Sequence, residues 1–257
     1  MRILKEIYLS PKDTSKKISF GIVNNKQELE EMFNLRYKVY LKKGYISKEM
    51  FLREIEKDKY DEEEKCDYII AKFKNQIIGS VRVIKDYYLP TEIECFKFKE
   101  PLPIRKIPRE KRGEISRLIV TGVKDYFLPP YLVILGMLDV VIKIALEKDL
   151  KGGYSFIKKS LKNKLNKIGV PFHSIKPFVQ IYSKKYLWGY FHNPNDPVIP
   201  IYYLRDEGKK YLDRIFNNEK IFKKINHDKF LYRVDKAWKF LFYIKLTPLF
   251  HLWKQLH

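Results

Sequence analysis

The stretch RGEISRLIV, residues 112–120, decides how this chain is read. Ile115, Leu118, Ile119 and Val120 have the branched, apolar character of a buried strand. Glu114 and Arg117 are charges that such a strand excludes unless each finds a partner. They stand three apart, so a regular strand points them to opposite faces. Both line one cleft only where the strand carries a bulge or its neighbour splays away.

The same oddity occurs twice more. An apolar helical stripe of Leu29, Met32, Phe33, Tyr37 and Tyr40 runs through NKQELEEMFNLRYKVYL (25–41), and Arg36 sits within it at the i+7 position. Arg82 lies between Val81 and Val83 in the strand-like run QIIGSVRVI (76–84). A buried, unpaired guanidinium is strongly unfavourable, so these arginines require carboxylates. The candidates are Glu114 and the loop residues Glu56, Asp58 and Asp61. Two readings are open: ion pairs that only pin the loop to the sheet, or a polar cleft built for a charged substrate.

Outward from this core, ISFGIV (18–23) predicts a strand, and Asn25 with Glu28 three residues on has the spacing of a helix-capping box. DYIIAKF (67–73) and QIIGSVRVI predict a hairpin turning at Lys74-Asn75. Residues 85–113 form a long, Pro-containing connection, of a length that suggests function rather than filler. Pro130 suits the first turn of the apolar helix YLVILGMLDVVIKIALEK (131–148). GGYSFI (152–157) reads as a strand and KKSLKNKLNKIG (158–169) as a basic helix ended by Gly169; HSIKPFVQIY (173–182) and PVIPIYYL (197–204) read as closing strands. The order predicts an α/β protein with a mixed sheet.

The chain has 257 residues, 45% of them hydrophobic, enough to bury a substantial core. Cys66 and Cys95 cannot form a disulfide scaffold and lack the frame of a cysteine nucleophile, which suggests a reducing cytoplasm. His173, His192, His227, His251 and His257 show no metal-ligand spacing, so no metal is expected. Lys and Arg total 52 against 31 Asp and Glu, a formal charge of +21 that favours an acidic partner. The lysines are scattered, without zinc-finger, helix-turn-helix or RNP signatures, so no nucleic acid is expected. A basic nucleic-acid or anionic-lipid binder is the non-enzymatic alternative. No run approaches the length needed to span a bilayer, but KAWKFLFYIKLTPLFHLWKQLH (236–257), with Lys239, Lys245 and Pro248 interrupting its aromatic residues, suggests peripheral membrane contact.

LRYKVYL (35–41), EKDKYD (56–61), YIIAKFKNQIIGSVRVI (68–84) and EISRLIV (114–120), in this order, resemble the acyl-homoserine-lactone synthases and N-acyl amino acid synthases. The exosortase-associated acyltransferase-like proteins share the pattern, which covers roughly residues 20–200. The resemblance implies the GNAT (acyl-CoA N-acyltransferase-like) fold over residues 1–204: a mixed central sheet with flanking helices, followed by a helical C-terminal extension over 205–257. It implies an N-acyltransferase in which Glu114, Arg117 and Arg82 are catalytic and Arg36, Glu56, Asp58 and Asp61 bind substrate. Glu114 would assist deprotonation of an amine attacking a thioester carbonyl, with a backbone N–H of the splayed strand as oxyanion donor.

The departures bear on the substrates. The segment TGVKDYFLPPYL (121–132) has one glycine and two prolines where acetyltransferases carry a Gly-rich phosphate cradle, which counts against a CoA donor. The implied donor is acyl carrier protein, docking on Lys158, Lys159, Lys162, Lys164 and Lys167, with no tightly bound cofactor. RVIKDYYLPTE stands where lactone synthases have an LLPTT-like stretch, which counts against S-adenosylmethionine and leaves an amino acid or another small amine as acceptor. A lactone synthase and a CoA-dependent acetyltransferase are the alternatives. Phe178, Tyr182 and Tyr202 are expected to bound the acyl pocket.

Overall fold

Around the 112–120 stretch, the computed structural model builds an extended mixed sheet; it describes residues 1–51, 53–63, 65–123 and 128–233. In chain order the elements begin β1 (Arg2–Tyr8), β2 (Lys17–Ile22), α1 (Lys26–Lys42), α2 (Lys59–Glu62), β3 (Cys66–Phe73) and β4 (Gln76–Ile84). There follow β5 (Phe96–Phe98), α3 (Leu102–Arg105), β6 (Arg112–Val120), α4 (Pro130–Glu147), β7 (Gly152–Lys158) and α5 (Lys159–Lys167). The chain continues through β8 (Phe172–Ser174), β9 (Phe178–Gln180), α6 (Trp188–Phe191), β10 (Val198–Leu204), α7 (Arg205–Phe216), β11 (Phe222–Lys224) and β12 (Lys229–Tyr232). The main sheet runs β11-β12-β1-β2-β3-β4-β6-β7-β10-β8, and β5 pairs with β9 in a small second sheet. Its pairs are antiparallel except β1–β12 and β6–β7.

The local reasons are legible in the residues. Asn25 caps α1 by accepting from the Glu28 backbone N–H at 2.9 Å. The β3–β4 hairpin turns on Lys74 (φ 47°) and Asn75 (φ 64°), the left-handed pair that a two-residue turn between twisted strands needs. Helix α4, with Pro130 in its first turn, lays Leu132, Val133, Met137, Val140 and Ile144 on one face of the sheet; α1 covers the other face with Met32, Phe33 and Tyr37. Strand β4 is therefore buried along nearly its whole length.

Strands β6 and β7 pair only from Arg112–Gly152 to Glu114–Tyr154, then part. Glycine closes the near end: a Cβ on Gly153 would lie 1.8 Å from the Gly113 carbonyl oxygen. On its other side β6 carries the bulge that its charges demand. Its register with β4 steps from Ser80–Ile119 to Arg82–Ser116, and Arg117 takes φ +58°. Both devices that could bring Glu114 and Arg117 to one cleft are thus present.

The long 85–113 connection carries a π-helical turn at Thr91–Cys95 followed by β5 and α3. Two expectations require correction. HSIKPFVQIY is two short strands in different sheets, not one. The extension from Arg205 is helical only to Phe216; β11 and β12 then join the edge of the main sheet through β1. The physical reason is that KFLY (229–232) buries Phe230 against Phe216 and Phe222, which a detached helix could not do. The aromatic segment expected at a membrane, including Trp238 and His251, lies outside the described residues, as do residues 124–127 of the loop after β6.

Candidate active site

The three arginines and three loop carboxylates form one buried network. Arg36, 1% exposed, donates from Nε to Glu56 Oε2 at 2.5 Å and from Nη1 and Nη2 to Asp61 Oδ1 and Oδ2 at 3.1 and 2.9 Å. Arg82 donates from Nη1 and Nη2 to Asp58 Oδ1 and Oδ2 at 2.7 and 2.9 Å. It also reaches Asp61 Oδ1 at 2.8 Å and Ser116 Oγ at 3.0 Å. Arg117 Nη2 lies 2.7 Å from Asp58 Oδ2 and 3.2 Å from Glu56 Oε1. The charges balance, which is what allows the cluster to be buried. Asp58 is also the N-cap of α2, in a capping box with Asp61, so a single turn of helix presents both carboxylates. Burial alone would raise the Asp58 and Asp61 carboxyls; Arg117 and Arg82 outweigh it at Asp58, and Arg36 and Arg82 at Asp61, so both sit below the ordinary aspartate range.

Glu114 stands apart from this network. It is fully buried, at the last paired position before β6 and β7 separate. Its Oε2 accepts from the Thr91 backbone N–H at 2.8 Å, and its Oε1 has no hydrogen-bond partner among the described residues. It does not hold Arg82, whose partners are Asp58, Asp61 and Ser116. Burial pushes the Glu114 carboxyl up to about 7, against the opposing pull of the Thr91 hydrogen bonds and the Arg82 and Arg117 charges. A carboxyl poised there can take or give a proton at neutral pH. Arg117 Nε is likewise buried without a hydrogen-bond partner among the described residues.

Beyond the last β6–β7 pair, Ile119 of β6 and Phe156 of β7 belong to one apolar, aromatic-rich cluster. Phe96, Tyr182, Phe191 and the half-buried Phe178 join them. Tyr202 lies elsewhere: it packs with the Leu89–Ile104 cluster and stacks on His173 at 4.8 Å, so it does not bound this space. Cys95 also lies in the aromatic-rich cluster, but burial raises its thiol pKa, the opposite of what a nucleophile needs.

The five lysines expected to dock a carrier protein divide. Lys158 ends β7 facing inward, where it donates to the Tyr190 and Asp196 carbonyl oxygens; Lys162 is buried on the inner face of α5 and donates to Asn166 Oδ1. Neither is available to a partner. Lys159 and Lys167 are exposed and Lys164 is half-buried. Sequence reasoning missed Tyr68, Ser116, Thr91 and Tyr186, which complete the polar shell. Tyr68 donates to Asp61 Oδ1 at 3.1 Å, and the Tyr186 hydroxyl accepts from Arg117 Nη2 at 2.7 Å. Ser116, inside the 112–120 stretch, and Tyr68, at the start of the 68–84 hairpin, carried a positional signal; Thr91 and Tyr186 did not. Among the described residues no three His, Cys, Asp or Glu side chains gather into a metal site, and no helix is long and apolar enough to cross a membrane.

The model of the N-acyl amino acid synthase FeeM family matches residues 31–122, the segment carrying all seven charged site residues. No curated protein matches the chain. Among solved structures, the AHL synthase LasI is similar with TM-score 0.55 and 16% identity, covering 76% of this chain and 93% of that one. TofI, in a ternary complex with an inhibitor and MTA, gives TM-score 0.54 and 16% identity, covering 76% and 96%. The CoA-dependent acyl-homoserine lactone synthase MesI gives TM-score 0.51 and 16% identity, covering 79% and 91%. At such identity these structures establish a shared fold, that of the GNAT-like acyltransferases. With the family-model match over residues 31–122, they make the chain similar to the N-acyl amino acid and acyl-homoserine-lactone synthases.

Proposed function

We propose that this protein transfers an acyl chain from the thioester of acyl carrier protein to the amine of an amino acid or related small molecule. One observation carries the reading. A buried carboxyl oxygen, Glu114 Oε1, and a buried guanidinium nitrogen, Arg117 Nε, have no partners among the described residues, and both belong to β6 where it leaves β7. Unpaired buried polar groups are costly and rarely idle. An α-amino acid satisfies both, its amine donating to Glu114 and its carboxylate accepting from Arg117.

In the reaction the amine nitrogen bonds to the thioester carbonyl carbon, the C–S bond breaks, and the thiolate leaves. Glu114 takes the amine proton, directly or through a water, and the departing sulfur receives a proton in its place. The β6 amides freed from pairing beyond Glu114 supply an oxyanion donor, and the aromatic-rich cluster of Ile119 and Phe156 gives way to the acyl chain. Asp58, Asp61, Glu56, Arg36 and Arg82 hold Arg117 and the α2 turn in place. Lys159, Lys164 and Lys167 are the docking cations. MesI is a CoA-dependent synthase, so the fold itself does not choose between carrier protein and CoA.

The test is a panel of acceptors with long-chain acyl carrier protein. Free thiol and an N-acyl product should appear with amino acids and fall sharply with amines that lack a carboxylate. Equal rates with both, or product only with S-adenosylmethionine, would overturn the acceptor assignment.

A further inference from the structure

Arg117 Nη2 meets three oxygens. Two belong to the carboxylates of Asp58 and Glu56. The third is a neutral group, the Tyr186 hydroxyl, from a part of the chain far beyond the matched segment 31–122. Tyr186 belongs to residues 181–192, which cross from β9 to β10 and are fastened on several sides. The Ile181 N–H donates to the Cys95 carbonyl oxygen at 2.9 Å, Lys184 pairs with Glu94, and Lys158 donates to the Tyr190 carbonyl oxygen. A Cβ on Gly189 would lie 1.9 Å from the Gly44 carbonyl oxygen, so this segment sits hard against the end of α1. Leu187, next to Tyr186, takes φ +57°, a conformation that a non-glycine residue holds only when its surroundings impose it.

We propose that Tyr186 is a positioning residue for the acceptor site: by fixing Arg117 Nη2 it sets the plane of the guanidinium, and so the direction of the unpartnered Nε. The inference rests on the acyl-transfer reading above and adds to it a residue on a separate segment. The guanidinium is planar, and among the described residues its Nη2 contacts Asp58, Glu56 and Tyr186. Its carbon also lies 5.8 Å from the Tyr40 ring centroid and 5.7 Å from that of Tyr186, packing that a phenylalanine keeps. Removing the hydroxyl takes away one of the three contacts on Nη2 and loosens the hold on the direction of Nε toward a bound carboxylate. Arg117 stays buried and ion-paired in either case, so the loss falls on acceptor recognition rather than on folding.

Tyr186→Phe tests this. With an amino acid acceptor, KM should rise about tenfold, the size expected for one hydrogen bond to a charged group, with kcat within about twofold. With a carboxylate-free amine the two proteins should behave alike, and their melting temperatures should agree. A Tyr186→Phe enzyme equal to wild type with the amino acid, or impaired equally with both acceptors, overturns the proposal. If the wild type transfers no acyl group from any thioester, the acyl-transfer reading fails. Calorimetric binding of the amino acid then decides the matter: about tenfold weaker binding to Tyr186→Phe sustains the role at Arg117, and equal or absent binding refutes it.

Discussion

Asp61→Asn is the most informative perturbation of the charged network. The Asp61 side chain is fully buried and accepts from Arg36 at 3.1 and 2.9 Å, Arg82 at 2.8 Å, Tyr68 at 3.1 Å and the Asp58 backbone N–H at 2.9 Å. Three guanidinium charges there meet three carboxylates. Asparagine keeps the shape, removes one negative charge and turns an NH2 toward guanidinium N–H groups that only donate. Breaking a buried pair from one side costs about 3–5 kcal/mol. For a chain of this length that corresponds to a fall of about 10 °C in melting temperature, at roughly 2–4 °C per kcal/mol. Chemical denaturation followed by circular dichroism gives the free energy directly, and an unchanged m-value shows that the folded state stayed intact. Asp213→Asn, which removes an exposed i,i+4 pair with Lys209, should leave the midpoint unchanged. A loss below about 1 kcal/mol for Asp61→Asn would refute the claim that this cluster is a dry, mutually neutralised unit.

Three further outcomes follow from named contacts. Moving Glu114 from its ordinary 4.5 to about 7 makes its ionisation inside the fold unfavourable by up to about 3 kcal/mol, absent below pH 4.5 and complete above 7. Glu114→Gln should therefore match the wild type in stability at pH 4 and exceed it at pH 8, and the wild-type kcat/KM should rise through pH 7; denaturation at both pH values and a pH–rate profile check this. Gly153→Ala should cost about 2–3 kcal/mol or prevent folding, because its methyl group would strike the Gly113 carbonyl where β6 and β7 meet; thermal melts decide. Charge reversal of Lys159, Lys164 and Lys167 together should raise KM for acyl carrier protein severalfold, most strongly at low salt, and leave an acyl-pantetheine substrate unaffected.

The sequence made the charged strand legible because a charge in an apolar run is a local contradiction visible without a structure. Arg36, Arg82 and Arg117 announced themselves this way, and the spacing of Arg117 to Glu114 called for either a bulge or a splayed neighbour, both of which β6 has. The β3–β4 hairpin and the α1 cap were equally local. What escaped was non-local. RILKEIY (2–8) mixes charges into its alternation, and Lys5 and Glu6 are buried there through Asp139, Lys17 and Lys229, partners distant in sequence. The strand KFLY pairs with it across more than two hundred residues. Lys158 and Lys162 read as surface charge because a lysine on a basic helix carries no mark of which way it faces. Tyr186 had no signal, since one tyrosine in an aromatic-rich segment resembles any other. Glu114 stood out in the sequence as a charge in an apolar strand, but its isolation from Arg82 did not, because the π-helical turn that supplies the Thr91 N–H has no sequence signature.

The central claim is that a buried carboxyl at the parting of β6 and β7 draws a proton from an amine as that amine takes an acyl chain from a thioester. The most direct measurement is mass spectrometry of the products formed from acyl carrier protein and an amino acid, with wild type and Glu114→Gln run side by side. The account predicts an N-acyl amino acid from the wild type and about a hundredfold slower formation by a Glu114→Gln protein that remains folded. No N-acyl product from the wild type, or an undiminished rate in the variant, would contradict it.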